Sequence, residues 1–426
     1  MLNPIVYAVP AFLLLMALEW GWSRRAAARV QTTYRAADTI SSLSLGILSQ
    51  VVGVFTKLFM VGIYVFIWER FAWMRLDAGQ LWVWVLALVL YDFLYYWHHR
   101  FGHTMAVLWA AHAVHHSSEE YNLSTALRQT SSGFVLGWIF YLPMALLGFP
   151  PLVYVVVGLI DLLYQFWVHT RLIGRLGWFD RWFCSPSNHR VHHGQNPYCL
   201  DRNYGGIWMV WDRLFGTFVE EREGEEIVYG VLGPLRSWSP LAANLRGYQQ
   251  IWGDMVLADN WRDKLTIWFR HPGWRPAAAA RLAPKAPPDL AQFQRYAPAL
   301  PPGLPLYGLL QLAVLLMLGV GFLALEPQLA RWLASAAALG LLLALWVLSR
   351  LMERGAGARG LELTRLLLQL LLALGLWRWA APLLPWEQAL LSLAVLASGW
   401  GLLRLPVLLS QPVEEAAGAH PQASSH

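Results

Sequence analysis

LWVWVLALVLYDFLYYWHHRFGH, residues 81–103, starts as a lipid-soluble run and ends among histidines. Residues 81–97 are apolar or aromatic apart from Asp92, and His98, His99 and His103 follow at once. A helix of that length reaches about 25 Å, close to the hydrocarbon thickness of a bilayer. His99 and His103, four residues apart, share one helix face and can hold one metal ion together.

The rest of the chain has the same character. Of 426 residues 57% are hydrophobic, only 14% are charged, and 25 are tryptophan. Soluble domains carry roughly 25% charged residues, so the chain reads as an integral membrane protein. Apolar spans are expected at about 4–22, 42–68, 81–97, 133–149, 152–169, 303–325, 329–349, 361–384 and 387–409. GFPP separates the fourth from the fifth, and both are short for a crossing, which predicts a tilted or partly inserted hairpin. The positive charge of MLNPIVYAVPAFLLLMALEWGWSRR follows its apolar run, which predicts a retained first helix rather than a cleaved signal.

Charge sets the orientation. Arg24, Arg25, Arg29 and Arg35 follow the first span, sixteen Lys or Arg lie from Arg171 to Arg295, and Arg350, Arg354 and Arg359 follow the seventh span. Placing them in the cytoplasm leaves Arg70, Arg75 and Arg331 opposite, as the positive-inside rule favours. The net charge of +6 reflects this asymmetry and does not indicate nucleic acid. Five regions are expected: an N-terminal helix and basic loop (1–40), a membrane-embedded domain (41–275), an Ala/Pro-rich linker (276–302), a C-terminal four-span block (303–410) and a disordered tail (411–426).

Nine of thirteen histidines fall into four groups: His99 and His103; His112, His115 and His116; His169; and His189, His192 and His193. The second and fourth groups share the spacing H-x-x-H-H, which on a helix turns imidazoles to common faces. Neutral imidazole suits iron, zinc, copper and nickel, and nine are too many for one ion, so two metals are expected. His98 points about 100° from His99 and is left out. His271, in RHPGW, resembles half of a cytochrome b5 haem motif without its partner histidine. His420 and His426 lie in the tail, Lys57 is an ionisable residue at a span centre, and Cys184 and Cys199 read as free thiols with no C-x-x-C. Asp92 and Asp161 precede His99 and His169 by seven and eight residues and are expected to orient ligand rings. The fold expected is an all-α multi-span bundle with a cytoplasmic, histidine-rich cap over a di-metal site.

DFLYYWHHRFGH, LWAAHAVHHSSEEYNLSTALRQT, LYQFWVHT and SNHRVHHGQNPYCLDRNYGGIWMVWDRLFGTFVEE resemble the fatty acid hydroxylase/sterol desaturase superfamily. Within it they look most like the glyceryl-ether-cleaving branch, the alkylglycerol monooxygenases. The resemblance covers about residues 40–275. It implies two non-haem irons held by His99, His103, His112, His115, His116, His169, His189, His192 and His193, with O₂ as co-substrate. Where the superfamily often has a further histidine, this chain has Asn188. The branch implies a tetrahydropterin reductant, with Glu119, Glu120, Tyr121, Asn122 and Arg128 the candidates for pterin or substrate contacts.

The expected reaction is hydroxylation beside the ether oxygen of an alkylglycerol, giving fatty aldehyde and glycerol. The alternative within the superfamily is a sterol, fatty acyl or aminolipid hydroxylase or desaturase served by a separate electron-transfer protein. A metal transporter would need ionisable residues at mid-membrane, and a zinc hydrolase a carboxylate base such as Glu119. The C-terminal block carries no ligand cluster; Arg365, Gln369 and Arg378 are expected to face its interior. Oligomeric state is not legible.

Overall fold

The computed structural model describes residues 4–25, 34–285, 289–379 and 384–412. Arg29, His420, His426 and the side chain of Lys57 fall outside the described residues. Every regular element among them is helical, with two isolated bridges, Phe183 to Trp208 and Gly194 to Tyr229. Two compact units form, one from Met1–Gln294 with Glu326–Gln328, the other from Arg295–Leu325 and Leu329–His426.

The first unit opens with α1 (Pro4–Arg25), α2 (Ala36–Phe71), α3 (Leu81–Thr104) and α4 (Ala106–His116). Residues Ala36–Thr56 of α2 and the whole of α3 are long and apolar enough to cross a bilayer. On α3 the buried Asp92, Tyr96, His99 and His103 fall at i, i+4, i+7 and i+11, one continuous stripe. Nearer its start the helix turns this face outward instead, exposing Leu81, Trp82, Val85 and Leu86 as a lipid-facing surface while Val83 and Ala87 are buried. One extended residue, Met105, breaks the helix before α4 begins.

The expected hairpin around GFPP is real and too short to span. Beyond α5 (Leu123–Ala126), the segment Gly137–Leu146 combines a 3-10 turn with α6 (Leu142–Leu146), and α7 covers Pro151–Tyr164. Fourteen helical residues reach only about 21 Å. Between them Gly148 takes φ +89°, and a Cβ there would lie 2.0 Å from the Met74 carbonyl oxygen. Only glycine fits that contact.

Short helices α8 (Trp178–Trp182), α9 (Pro186–His192) and α10 (Val210–Leu214) follow, then α11 (Pro240–Val256), α12 (Trp261–Thr266) and α13 (Ala277–Leu282). Gly247 of α11 sits against Ala110 of α4, so close that a Cβ would meet the Ala110 Cα at 2.6 Å. The stretch expected as linker is therefore partly folded: α13 buries Ala278 and Ala279. Pro276 at its N-cap and the four alanines after it explain the helix.

The second unit comprises α14 (Leu304–Leu325), α15 (Arg331–Met352), α16 (Ala358–Trp379) and α17 (Pro385–Leu409), all membrane-span candidates over most of their length. Its core holds a charged knot. Arg365 Nε and Nη2 donate to Glu362 (2.7 Å each), Nη2 also to Gln311 (2.8 Å) and Nη1 to Gln369 (2.8 Å), while the Tyr307 hydroxyl donates to Glu362 (2.6 Å). Arg365 is buried and Gln369 half-buried as expected, whereas Arg378, near the helix end, is exposed.

Candidate metal centre

Four segments bring nine imidazoles together. α3 supplies His99 and His103, α4 supplies His112, His115 and His116, and His169 follows α7. α9, capped by the Ser185 side chain and begun by Pro186, supplies His189 and His192, with His193 at its C-cap. They sort into two groups: His99, His103, His112, His116 and His192; and His115, His169, His189 and His193. Within each group the donor nitrogens lie within 4.8 Å of one another. Each H-x-x-H-H box is divided. His112 and His116, at i and i+4, join the first group while His115 turns to the second; His189 and His193 join the second while His192 turns to the first.

Hydrogen bonds fix the ring nitrogens. Nδ1 of His99, His115, His169 and His192 lies 2.8–3.0 Å from the carbonyl oxygens of Tyr204, Arg128, Gln165 and Arg202 respectively. A carbonyl only accepts, so each Nδ1 carries the proton and a neutral ring is left with a bare Nε2. Burial, reinforced by neighbouring imidazoles, holds His112, His116, His169, His189, His192 and His193 well below the usual histidine range. Burial likewise takes His115 down to about 4.

Two such bare nitrogens, Nε2 of His115 and of His169, face each other at 3.1 Å. Nε2 of His192, also bare, is buried with no hydrogen-bond partner, as is Nε2 of His103. Converging lone pairs repel unless a cation lies between them. Metal–imidazole bonds of about 2.1 Å at right angles place donor atoms about 3.0 Å apart. Several Nε2 contacts here are 3.0–3.1 Å. The donor set fits metal ions.

Asp92 and Asp161, expected to orient the rings, hydrogen-bond no histidine. Two helical turns separate Asp92 from His99, about 10 Å, and the carbonyls of Tyr204 and Gln165 meet the rings of His99 and His169 instead. Asp92 instead accepts from Ile207 N (2.6 Å), Trp208 N (3.3 Å) and Trp211 Nε1 (2.7 Å). Asp161 accepts from Gln165 Nε2 at 2.6 Å. Both carboxylates crowd Gly206, where a Cβ would stand 2.6 and 2.9 Å from their oxygens. Asp92 thus anchors the loop that carries the Tyr204 carbonyl, and Asp161 packs beside it. Asp212 clamps it from the other side, accepting from Tyr204 N (2.8 Å), Gly205 N (2.7 Å) and Thr217 Oγ1 (2.6 Å); burial lifts its carboxyl to about 6.

The other sequence candidates scatter. Arg128, 1% exposed, donates to the Val114 carbonyl and to Ser117, Ser41 and Ser42 while offering its own carbonyl to His115. Glu120 pairs with Arg35 at 2.8 Å, and Asn122 caps α5. The Tyr121 hydroxyl donates to the Val168 carbonyl, and its ring stacks on Tyr229. Glu119 is half-buried beside Gly230. Asn188 donates to the carbonyls of Asp180 and Phe183 and belongs to neither histidine group.

Two supports carried no motif in the sequence. Buried Glu19 of α1 accepts from Tyr34, Leu123 N and Thr170, next to His169. Arg190, between His189 and His192, makes a two-pronged pair with Glu221 (2.7 and 2.8 Å) and donates to the carbonyls of Thr170 and Ile173. Their only signal was charge placed inside otherwise apolar or histidine-rich runs.

A cavity of about 100 Å³ adjoins the first group. Its walls include His98, His99, His112, Val107, Leu108, Leu136 and Tyr248, so His98 faces the cavity and neither histidine group. None of the five residues Glu119, Glu120, Tyr121, Asn122 and Arg128 lines it.

The fatty acid hydroxylase family profile matches residues 84–217. An alkylglycerol monooxygenase of Danio rerio is 37% identical over 382 residues, 89% of this chain and 83% of that protein. The chain belongs to this family. An alkylglycerol monooxygenase of Homo sapiens is 40% identical over 271 residues, 63% of this chain and 59% of that protein. An ornithine lipid hydroxylase of Rhizobium tropici is 32% identical over 153 residues, 35% of this chain and 45% of that protein. No solved structure matches. As a family member the chain is an oxidoreductase, a membrane-integral lipid monooxygenase with a histidine-rich metal site.

Proposed function

We propose that the chain uses two irons and O₂ to hydroxylate the ether-adjacent carbon of alkylglycerols, with tetrahydropterin as reductant. The observation that carries the reading is the five-and-four division of converging, unprotonated imidazoles next to a cavity at the end of a membrane helix. In this reading His99, His103, His112, His116 and His192 hold one iron, and His115, His169, His189 and His193 the other. The irons supply O₂ activation: one oxygen atom enters the C–H bond and the other leaves as water, with two electrons and two protons consumed. The hydroxylated ether is a hemiacetal, whose C–O bond breaks to give fatty aldehyde and glycerol.

The protein's part is to bind, orient and exclude water. Val107, Leu108 and Leu136 offer an apolar wall to the alkyl chain, and His98 a polar atom near the headgroup. Backbone carbonyls hold ring tautomers, and Asp92 and Asp212 hold the loop that provides one of them. Glu119 is the residue we assign to the pterin; Glu120, Tyr121, Asn122 and Arg128 we assign to the framework around it. The basic loops support a cytoplasmic placement of the site, in a bacterial inner membrane or an endoplasmic-reticulum-like one. The five sequence regions stand as a proposed organisation.

The test is iron-loaded protein in lipid given a 1-O-alkylglycerol in air, with and without tetrahydropterin, with fatty aldehyde measured. Aldehyde that requires pterin and oxygen supports the reading. Its absence from protein holding two irons sinks the substrate or donor assignment, and activity with zinc alone sinks the oxygenase. The match to an ornithine lipid hydroxylase favours one second reading: an aminolipid substrate with a separate electron-transfer protein.

A further inference from the structure

Helix α11 has three faces. Ala243, Gly247, Ile251 and Met255 form the inner one, with Gly247 on Ala110 of α4. Arg246, Gln250 and Gly253 form an exposed polar one. Between them Leu241, Leu245, Trp252 and Val256 are 37–59% exposed. Their spacing of four, seven and four residues confines them to about 60° of arc. Across the following turn Trp261, Leu265 and Phe269 continue the ridge, 62–76% exposed. A contiguous uncovered apolar ridge of this size marks an interaction surface.

Its position and composition say what covers it. Ala106, the first residue of α4, donates its N–H to the carbonyl of Arg270 at 2.8 Å, beside Phe269. Met105 alone separates that residue from the end of the membrane-spanning α3. The ridge is therefore tied to the level at which the chain leaves the bilayer. Two exposed tryptophans suit that boundary. Exposed Arg246, Arg262 and Arg270 flank the ridge, and Lys264 lies over the Trp261 ring. Of the acidic groups nearby, Asp254 is paired with Arg275 and Asp263 is bonded to Asn260, leaving Asp259 exposed. An amphipathic helix too polar to span, with cations at its margin, lies in the plane of the interface.

We propose that α11, α12 and the turn ending at Phe269 rest in the bilayer interface, and that lipid reaches the cavity alongside them. Tyr248 stands between the inner face and the apolar stripe and lines the cavity opposite His98, His99 and His112. The cavity thus borders the lipid-facing ridge. The route rests on the lipid monooxygenase reading; the interfacial contact does not.

The experiment uses full-length protein, one copy per lipid nanodisc, with Leu245→Cys, Leu265→Cys and the polar-face control Gln250→Cys labelled with an environment-sensitive dye. The native thiols do not compete: both are buried, and burial pushes Cys199 up to about 12 and Cys184 well above its usual value. Brominated acyl chains should quench the dye several-fold more strongly at 245 and 265 than at 250. Equal quenching at all three overturns the proposal, as does protection at 245 and 265 that appears only with two copies per disc. For the route, Leu245→Glu should raise KM several-fold for a bilayer-embedded ether lipid, leaving kcat and metal content as they were. Strong quenching with an unmoved KM overturns the route and keeps the contact.

Discussion

Replacing Glu221 by alanine should loosen the metal centre without touching a ligand. Arg190 sits between His189 and His192, and its guanidinium meets both Glu221 oxygens while holding the carbonyls of Thr170 and Ile173. The two side chains are 7% and 20% exposed, so solvent screens the pair little. Removing one partner of a buried pair costs about 3 kcal/mol or more, because the other charge is left uncompensated. Directed entirely at the histidines of α9, about 3 kcal/mol is roughly a hundredfold in metal affinity, the upper end of what second-layer substitutions do. Both histidine groups draw on α9, the second through His189 and His193 and the first through His192, so the second should weaken more. Burial pushes the Glu221 carboxyl up, but the hydrogen bonds and charge of Arg190 outweigh that and hold it below the usual range. A depressed carboxylate contributes stability that is full above its unfolded value and lost as pH falls through its folded one. The advantage of the native chain over Glu221→Gln should therefore be present above about pH 4.5 and vanish on further acidification. Metal content per chain under graded chelator, followed across pH, measures both. Glu221→Ala protein that keeps both metals at native affinity would refute the reasoning.

Gly206→Ala should push the Asp92 and Asp161 carboxylates apart, costing about 1–3 kcal/mol; reduced metal content and a lower Tm are the readouts. His98→Phe should leave metal content intact and alter KM for the lipid, because His98 lines the cavity and joins neither group. Loss of metal instead would show that His98 matters to the centre. Glu362→Ala should destabilise the second unit by about 3–5 kcal/mol, with Arg365→Met added to it recovering part of the loss. Thermal unfolding of the single and double variants, with metal content measured alongside, tests this.

Much of this was legible in the sequence because the signals are local. A hydrophobic run, a histidine at i+4 and a proline pair each act within a few residues, so α3, the histidine sets and the short hairpin could be read directly. The division into five and four could not. It depends on how α3, α4, α9 and the segment after α7 approach, which splits both boxes between the groups. Asp92 and Asp161 misled for a related reason: a carboxylate near a histidine in sequence was read as its partner, whereas His99 takes the carbonyl of distant Tyr204 and His169 that of Gln165, one turn back. Arg128 looked like a ligand-binding residue because it follows the first box, yet its guanidinium bridges α2 and α4. A buried cation and an exposed binding one look the same in one dimension. α13 formed where a linker was expected because alanines stabilise a helix even between prolines.

Four of the nine rings are oriented by main-chain oxygen, at Gln165, Arg128, Tyr204 and Arg202. An amide oxygen is present whatever side chain the residue carries, so these contacts are insulated from substitution at the positions that provide them. The walls of the cavity have less of that protection: Val107, Leu108, Leu136 and Tyr248 line it, and a substitution at any of them changes what lines it. Sequence drift can therefore reshape what enters the cavity faster than it disturbs the rings beside it. A lineage built this way can change its lipid while keeping its chemistry.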